Sequence, residues 1–435
     1  MSDDLADDLA RESLLSWDAG VQPADVSHPV RRVGARWSRA LLVSLTAIAI
    51  MYLGLSVFRI YVRRYYLFLP DYVRWTLTPA TSPRSGPAAA LAATGPKHLF
   101  VIFVDHWEPD YDLDRARRWA ARYSSLAARH RDGDGRPPQH TWFYPGEQRA
   151  PEIMGLLREL TVAGLGEVEL HFHHGDDTAD TLTPKLRKAI EEFQQFGFLE
   201  TVSGETRFAF VHGNFGLDNS NGPHACGVDT ELTILHDLGS FADFSFPSVY
   251  RRSQPDIVNA IYAAKDDPAP KSYERRLPLA ALTSGDADLM IFEGPLVFSP
   301  SLHPRRLFLD LDDGNIHAAM PASPMRIGRW LRANVHVAER PDWIFIKLWA
   351  HGVSTRRDEE AVVGPGFDEL LTAFEQHYND RAQYVLHYIT AREAYNLAMA
   401  AAQGVTGPPE QYLDSVVGPY ISSARRPAVK PRGSH

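Results

Sequence analysis

From residue 97 to residue 351, short apolar runs alternate with stretches whose apolar positions recur at helical spacing. LFVIFVD (99–105), HTWFY (140–144), EVELHFH (167–173), RFAFVH (207–212), ADFSF (242–246), DLMIFEG (288–294) and WIFIKLWAH (343–351) read as strands. Helices are predicted over 113–129, 150–163, 182–198 and 229–238, with long helices from Phe367 to about Ala401. Strands that are apolar on both faces and separated by helices predict a largely parallel sheet with helices outside it, either doubly wound or closed into a barrel. No fixed-period repeat and no glycine-rich phosphate loop interrupts the pattern, so a nucleotide-binding fold has no support.

The N-terminal pattern is different. Ala40–Phe58 runs for 19 residues without a charge, close to the length a helix needs to cross the hydrocarbon core of a bilayer. A buried core helix would share this composition, but Arg36 and Arg39 precede the run, Arg59, Arg63 and Arg64 follow it, and Tyr61, Tyr65 and Tyr66 cluster at one end as in an interfacial belt. The run also starts late for a cleaved signal peptide. The expected organisation is a polar tail with a basic flank (1–39), a membrane anchor (40–68), a Pro/Ala/Ser-rich linker (69–96), one globular domain (97–425) and a C-terminal tail (426–435). Basic residues are nearly balanced across the anchor, so they do not decide its orientation.

Charge sharpens this division. The whole chain carries a net charge of −9, but residues 1–28 hold seven acidic residues against Arg11 and account for six of those charges. The remainder is nearly neutral and lacks the concentrated basic surface that a phosphate backbone requires, so nucleic acid is not an expected partner. Cys226 is the only cysteine. A multi-thiolate site is therefore excluded, and any metal must rely on the 18 histidines and the carboxylates.

Ligand-type residues gather where the predicted strands end. FVDHWEP carries Asp105, His106 and Glu108; FYPGEQ carries Glu147; HFHHGDD carries His171, His173, His174, Asp176 and Asp177; FVHGN carries His212 and Asn214; and FIKLWAHG carries Lys347, Trp349 and His351. In parallel α/β folds the ligand site lies at this end of the sheet. Along the third strand the period of two puts Val168, Leu170 and Phe172 on one face and Glu169, His171 and His173 on the other, so two imidazoles can approach one ion from the same side. By the same rule Phe345, Lys347, Trp349 and His351 share a face, and an inward Lys347 calls for a carboxylate partner. For a hydrolytic metal site, Asp105 suits the base and His351 the acid.

At these residues the chain resembles the polysaccharide deacetylase superfamily, the NodB-homology or carbohydrate esterase family 4 group. FVDHWEP is similar to that family's Thr-Phe-Asp-Asp-Gly motif, ELHFHHGDD to its two-histidine metal motif, and FIKLWAHG to the motif that carries its acidic histidine. The resemblance covers about Lys97 to Val353. It implies a deformed (β/α) barrel, here preceded by the transmembrane helix that hydropathy predicts, with a divalent metal, usually zinc, and removal of acetyl groups from N-acetylated sugars. Several features depart from the family: His106 stands where a second aspartate is usual, the His-x-x-x-His spacing is replaced by His171, His173 and His174, and an Arg-x-Pro signature is missing.

The expected function is a membrane-anchored, metal-dependent hydrolase that deacylates a cell-envelope or extracellular polysaccharide. His171 and His173 are the expected ligands, with His106 or His174 as a third. Asp105 and His351 are the expected catalytic groups. Glu147, His212, Asn214 and Trp349 are expected at the substrate, with Asn214 or a backbone N–H near His212 serving an oxyanion. The membrane, the polysaccharide and the polysaccharide-synthesis machinery are the expected partners, and the domain is expected outside the cytoplasm of a bacterial cell. Two other classes fit the same residues. One is an inactive barrel that binds or scaffolds glycan, and the other is a glycoside hydrolase using Glu108 or Glu147 with Asp176.

Overall fold

The computed structural model describes residues 30–78, 95–300 and 309–423. The expected acidic tail up to residue 29, linker residues 79–94 and all of the expected C-terminal tail lie outside the described residues. The chain divides between Ser56 and Val57 into two units. In its described part the first is helix α1 (Val30–Val62), whose last residues belong to the second unit. Within α1, Arg39–Val62 is long and apolar enough to span a membrane, and none of it is buried. The expected linker begins as ordered structure, because α2 (Leu69–Leu77) is helical.

The second unit continues with β1 (Lys97–His106), α3 (Leu113–Ala127), β2 (His140–Pro145), α4 (Pro151–Val162), β3 (Gly166–Phe172), α5 (Ala179–Gln194) and β4 (Phe208–His212). Then come α6 (Glu231–Asp237), β5 (Ser240–Asp243), β6 (Ala260–Ala264), α7 (Ala280–Ser284), β7 (Leu289–Glu293), β8 (Val297–Pro300) and β9 (Leu309–Asp312). The last elements are α8 (Pro324–Ala333), β10 (Trp343–Ala350), α9 (Arg356–Val363), α10 (Pro365–His377), β11 (Tyr384–Ile389) and α11 (Ala391–Ala402). The main sheet runs β10-β1-β2-β3-β4-β5-β7-β6 and is parallel except for β6 against β7; β8 and β9 form a separate antiparallel pair. Residues 97–102 of β1 pair with β11 and residues 103–106 with β2, while β10 takes the other edge.

The long helical region predicted after Phe367 is instead helix, strand and helix. Asp380 Oδ1 accepts the N–H groups of Ala382, Gln383 and Tyr384, a local turn that competes with helix. The residues that follow, YVLHYI, are mostly aromatic and branched, and they pair with β1.

Strand periodicity builds two cores. Leu99, Val101 and Phe103 of β1, with Val168, Leu170 and Phe172 of β3 and Ile344, Ile346 and Leu348 of β10, pack under the helices. Phe100, Ile102 and Val104, with Ala209, Val211, Phe292 and Phe345, fill the opposite face together with α11. The sheet curls around this second core, bringing Phe345 of β10 to 6.2 Å from Phe292 of β7. Lys347 is buried here, and its partners are backbone rather than a bonded carboxylate: Nζ donates to the carbonyls of Phe292 (2.7 Å) and Phe246. At the other end of this face Glu167 and Arg392 of α11 form a fully buried ion pair at 2.9 Å.

Candidate functional site

The two faces sort the strand-end residues into two groups. On the face of Ile102 and Val104, residues in phase with them continue into His106, and the same phase on β3 and β10 gives His171, His173, Trp349 and His351. These side chains meet. The His106 ring lies 4.8 Å from that of His171 and 4.7 Å from that of His351, and the His171 and His173 rings are 4.6 Å apart. Trp349 and Phe215 form a wall beside them, 5.7 and 5.8 Å from His106.

Glu108 completes the group from the loop after β1. Its Oε1 lies 2.7 Å from His171 Nε2 and 3.2 Å from His173 Nε2. The other nitrogen of each ring is already committed: His171 Nδ1 donates to the Val211 carbonyl at 3.0 Å, and His173 Nδ1 donates to Glu147 at 2.5 Å. In the neutral ring of each histidine, Nε2 therefore carries a lone pair aimed at a carboxylate oxygen. Three electron-pair donors converge, and only a cation or an added proton reconciles them.

The charges behave accordingly. Burial pushes the Glu108 carboxyl up, but hydrogen bonds from His171 and His173 outweigh it and hold the group well below the usual carboxylate range. Burial would lower His173, but Glu108 and Glu147 raise it to about 9. His106, fully buried and beside His351 and His171, is held well below its ordinary value, and its Nδ1 has no hydrogen-bond partner. His351 is lowered too, mainly by burial. Gly213 makes room for His173, since a Cβ there would lie 2.3 Å from the ring.

Glu108, His171 and His173 have the donor types and the convergence to hold a divalent ion, with the Val211 carbonyl and Glu147 orienting the two imidazoles. A second group, His174, His212, Cys226 and Glu231, can also supply metal donors and is wholly buried. It lies on the helix-facing side of the sheet, in phase with Phe172 and Phe210. Here His212 Nδ1 accepts the N–H groups of Asn214 and Gly216, so Nε2 bears the proton in the neutral ring that burial favours, with a pKa lowered to about 3. The Cys226 thiol, pushed up by burial, donates to Glu231 Oε2 at 3.3 Å. Glu231 also accepts from the Asp218 N–H at 2.7 Å and contacts His174 at 3.0 Å. This group is wholly buried and leaves His212 Nε2 and His174 Nδ1 without a hydrogen-bond partner, whereas Glu108 and His173 are only half-buried and can be reached from outside.

Four expectations change with this placement. Asp105, expected as the base, is in phase with Phe103 and faces the helix side; Oδ2 accepts from His140 at 3.0 Å and Oδ1 from the Gly352 N–H at 2.6 Å, and the residue is fully buried. His174 and His212 belong to the buried group with Cys226 and Glu231 rather than to the Glu108 group. Asn214 is also committed, because Nδ2 donates to the His174 carbonyl at 2.5 Å. Asp176 is exposed and bonded to His224, away from Glu108 and Glu147, each of which touches His173. Glu108 was expected only as a glycosidase carboxylate, and Glu231 was not expected at all. The signal for Glu108 was its place three residues after Asp105 in a strand-end motif. Comparisons of the chain with protein-family models, with curated proteins and with solved structures find no match.

Proposed function

We propose that this protein is a membrane-anchored, metal-dependent hydrolase that removes acyl groups, acetyl above all, from a sugar polymer of the cell envelope. We also read the curled sheet as the deformed (β/α) barrel of the polysaccharide deacetylase type. The observation that carries the proposal is the convergence of His171 Nε2, His173 Nε2 and Glu108 Oε1 at the C-terminal ends of parallel strands. Histidine and carboxylate donors suit zinc and related divalent ions.

A divalent ion bound by Glu108, His171 and His173 would supply Lewis acidity toward a carbonyl and a water of lowered pKa. The chain's residues do the rest. His351 lies beside His106 and, being neutral, can take a proton from the attacking water. It then returns that proton to the departing nitrogen or oxygen of the sugar. Water adds to the acyl carbon, the C–N or C–O bond breaks, and a carboxylate and a free amine or hydroxyl result. Trp349 and Phe215 offer flat apolar surfaces for a sugar ring, and Glu147 keeps His173 oriented.

The test is metal analysis of the purified full-length protein, together with acetate release from acetylated glycans supplied with zinc, cobalt, nickel or manganese. About one ion per chain, lost in the double variant His171→Ala and His173→Ala, is expected. A metal-free protein that gains no activity from any of these ions would overturn the proposal.

A further inference from the structure

The membrane-proximal segment is packed against the rim of the candidate site. The apolar span ends at Val62, and Arg63 lies over the Tyr250 ring at 4.7 Å. Tyr65 approaches the same ring at 6.0 Å, and Tyr65, Phe68 and Tyr72 are buried against Val249, Val258 and Leu296. The chain that follows the span is thus fixed to the globular unit from its first turn. The residue after Tyr250 points to the site: Arg251, exposed, lies over Phe215 at 5.6 Å, and Phe215 borders His106 and Trp349.

One peptide unit therefore joins a contact with the first residues after the span to a contact with the wall of the site. The composition here is that of a bilayer interface, with exposed Tyr61 and Tyr66 among arginines. Arg63 and Arg251 form no ion pair with any described carboxylate and keep their guanidinium edges for another anion. Guanidinium suits phosphate because its paired N–H donors match two oxygens at once.

We propose that the site draws its substrate from the bilayer surface: an acylated sugar carried on a phosphate-bearing lipid, with the phosphate at Arg63 and Arg251 and the sugar against Phe215 and Trp349. This substrate class rests on the hydrolase and membrane readings above.

The test uses full-length protein in nanodiscs and two substrates, N-acetylglucosamine phosphate linked to a polyprenyl chain in the disc and water-soluble N-acetylglucosamine 1-phosphate. Acetate release is expected to favour the lipid-linked form by about tenfold or more at equal bulk concentration. That preference should fall roughly fivefold for each of Arg63→Gln and Arg251→Gln. Equal rates on the two substrates, or a preference unchanged in the double variant, would overturn the proposal. A second readout does not depend on turnover. A photoreactive amino acid in place of Tyr250 should form lipid adducts, with one at Ile48 as the positive control; adducts at 48 but none at 250 would also overturn it. Adducts at 250 with no acetate from either substrate would support the surface contact and overturn the hydrolase reading, and the substrate assignment with it.

Discussion

Glu108 touches two imidazoles whose outer nitrogens are both occupied, and this makes it the residue on which the site depends. Replacing it with glutamine keeps the shape but removes the negative charge. Glu108→Gln is expected to weaken metal binding more than Glu147→Gln, which loses only an orienting contact worth about 10–100-fold. Isothermal titration of the metal-stripped protein ranks the two, and equal or reversed losses would remove Glu108 from the ligand set. Gly213→Ala tests the same geometry from behind, because the new methyl group must displace the His173 ring. It should lower metal affinity by about tenfold or more while far-ultraviolet circular dichroism stays unchanged. Asp105 leads to the opposite expectation. Asp105→Ala leaves His140 and the Gly352 N–H unpaired in the core and should cost about 1–3 kcal/mol of stability, with metal still bound. Loss of metal without loss of stability would return Asp105 to the site.

At the scale of elements, period two decided which strand-end residues meet, and much of that was readable in advance. The face shared by His171 and His173, and the one shared by Lys347, Trp349 and His351, follow from alternation alone. The phase between strands does not follow. Asp105 and His106 are neighbours in sequence, and only the pairing of β1 with β10 and β2 shows which of them turns toward His171. His174 likewise follows His173 directly and falls on the other side of the sheet. β11 was hidden because its apolar residues also fit a helical run, and the turn at Asp380 that separates them is a matter of hydrogen bonding rather than hydropathy. Its successor α11 is secured by the Glu167–Arg392 pair, where neither partner has access to water. Arg392→Ala should therefore cost about 3–5 kcal/mol, since it leaves an uncompensated buried carboxylate. A urea midpoint equal to that of the parent protein would show that the pair does not hold this end of the sheet.

For the whole molecule, the decisive feature is where the globular unit begins. Composition alone suggested a slack connection from residue 69 and a domain from residue 97, because the Pro/Ala/Ser-rich stretch dominates that region. Three aromatic side chains before it set an earlier boundary. Tyr65, Phe68 and Tyr72 are buried with Val258, Leu296 and Leu311, and the Tyr72 hydroxyl accepts the Phe298 N–H at 2.9 Å. A chain starting at Lys97 would leave that apolar surface bare. Burying each large apolar side chain contributes about 1.5–3 kcal/mol, so removing all three should destabilise the unit by several kcal/mol relative to a chain starting at Val57. Urea unfolding of the two chains, followed by tryptophan fluorescence, makes the comparison. A lower midpoint is expected for the shorter chain, with dye binding to the exposed patch that a peptide spanning residues 57–78 suppresses. Identical midpoints would mean that the aromatic cluster does not hold residues 57–78 to the globular unit. A lower midpoint would show that the chain following the span is part of the globular unit, as the proposed substrate at the membrane surface requires.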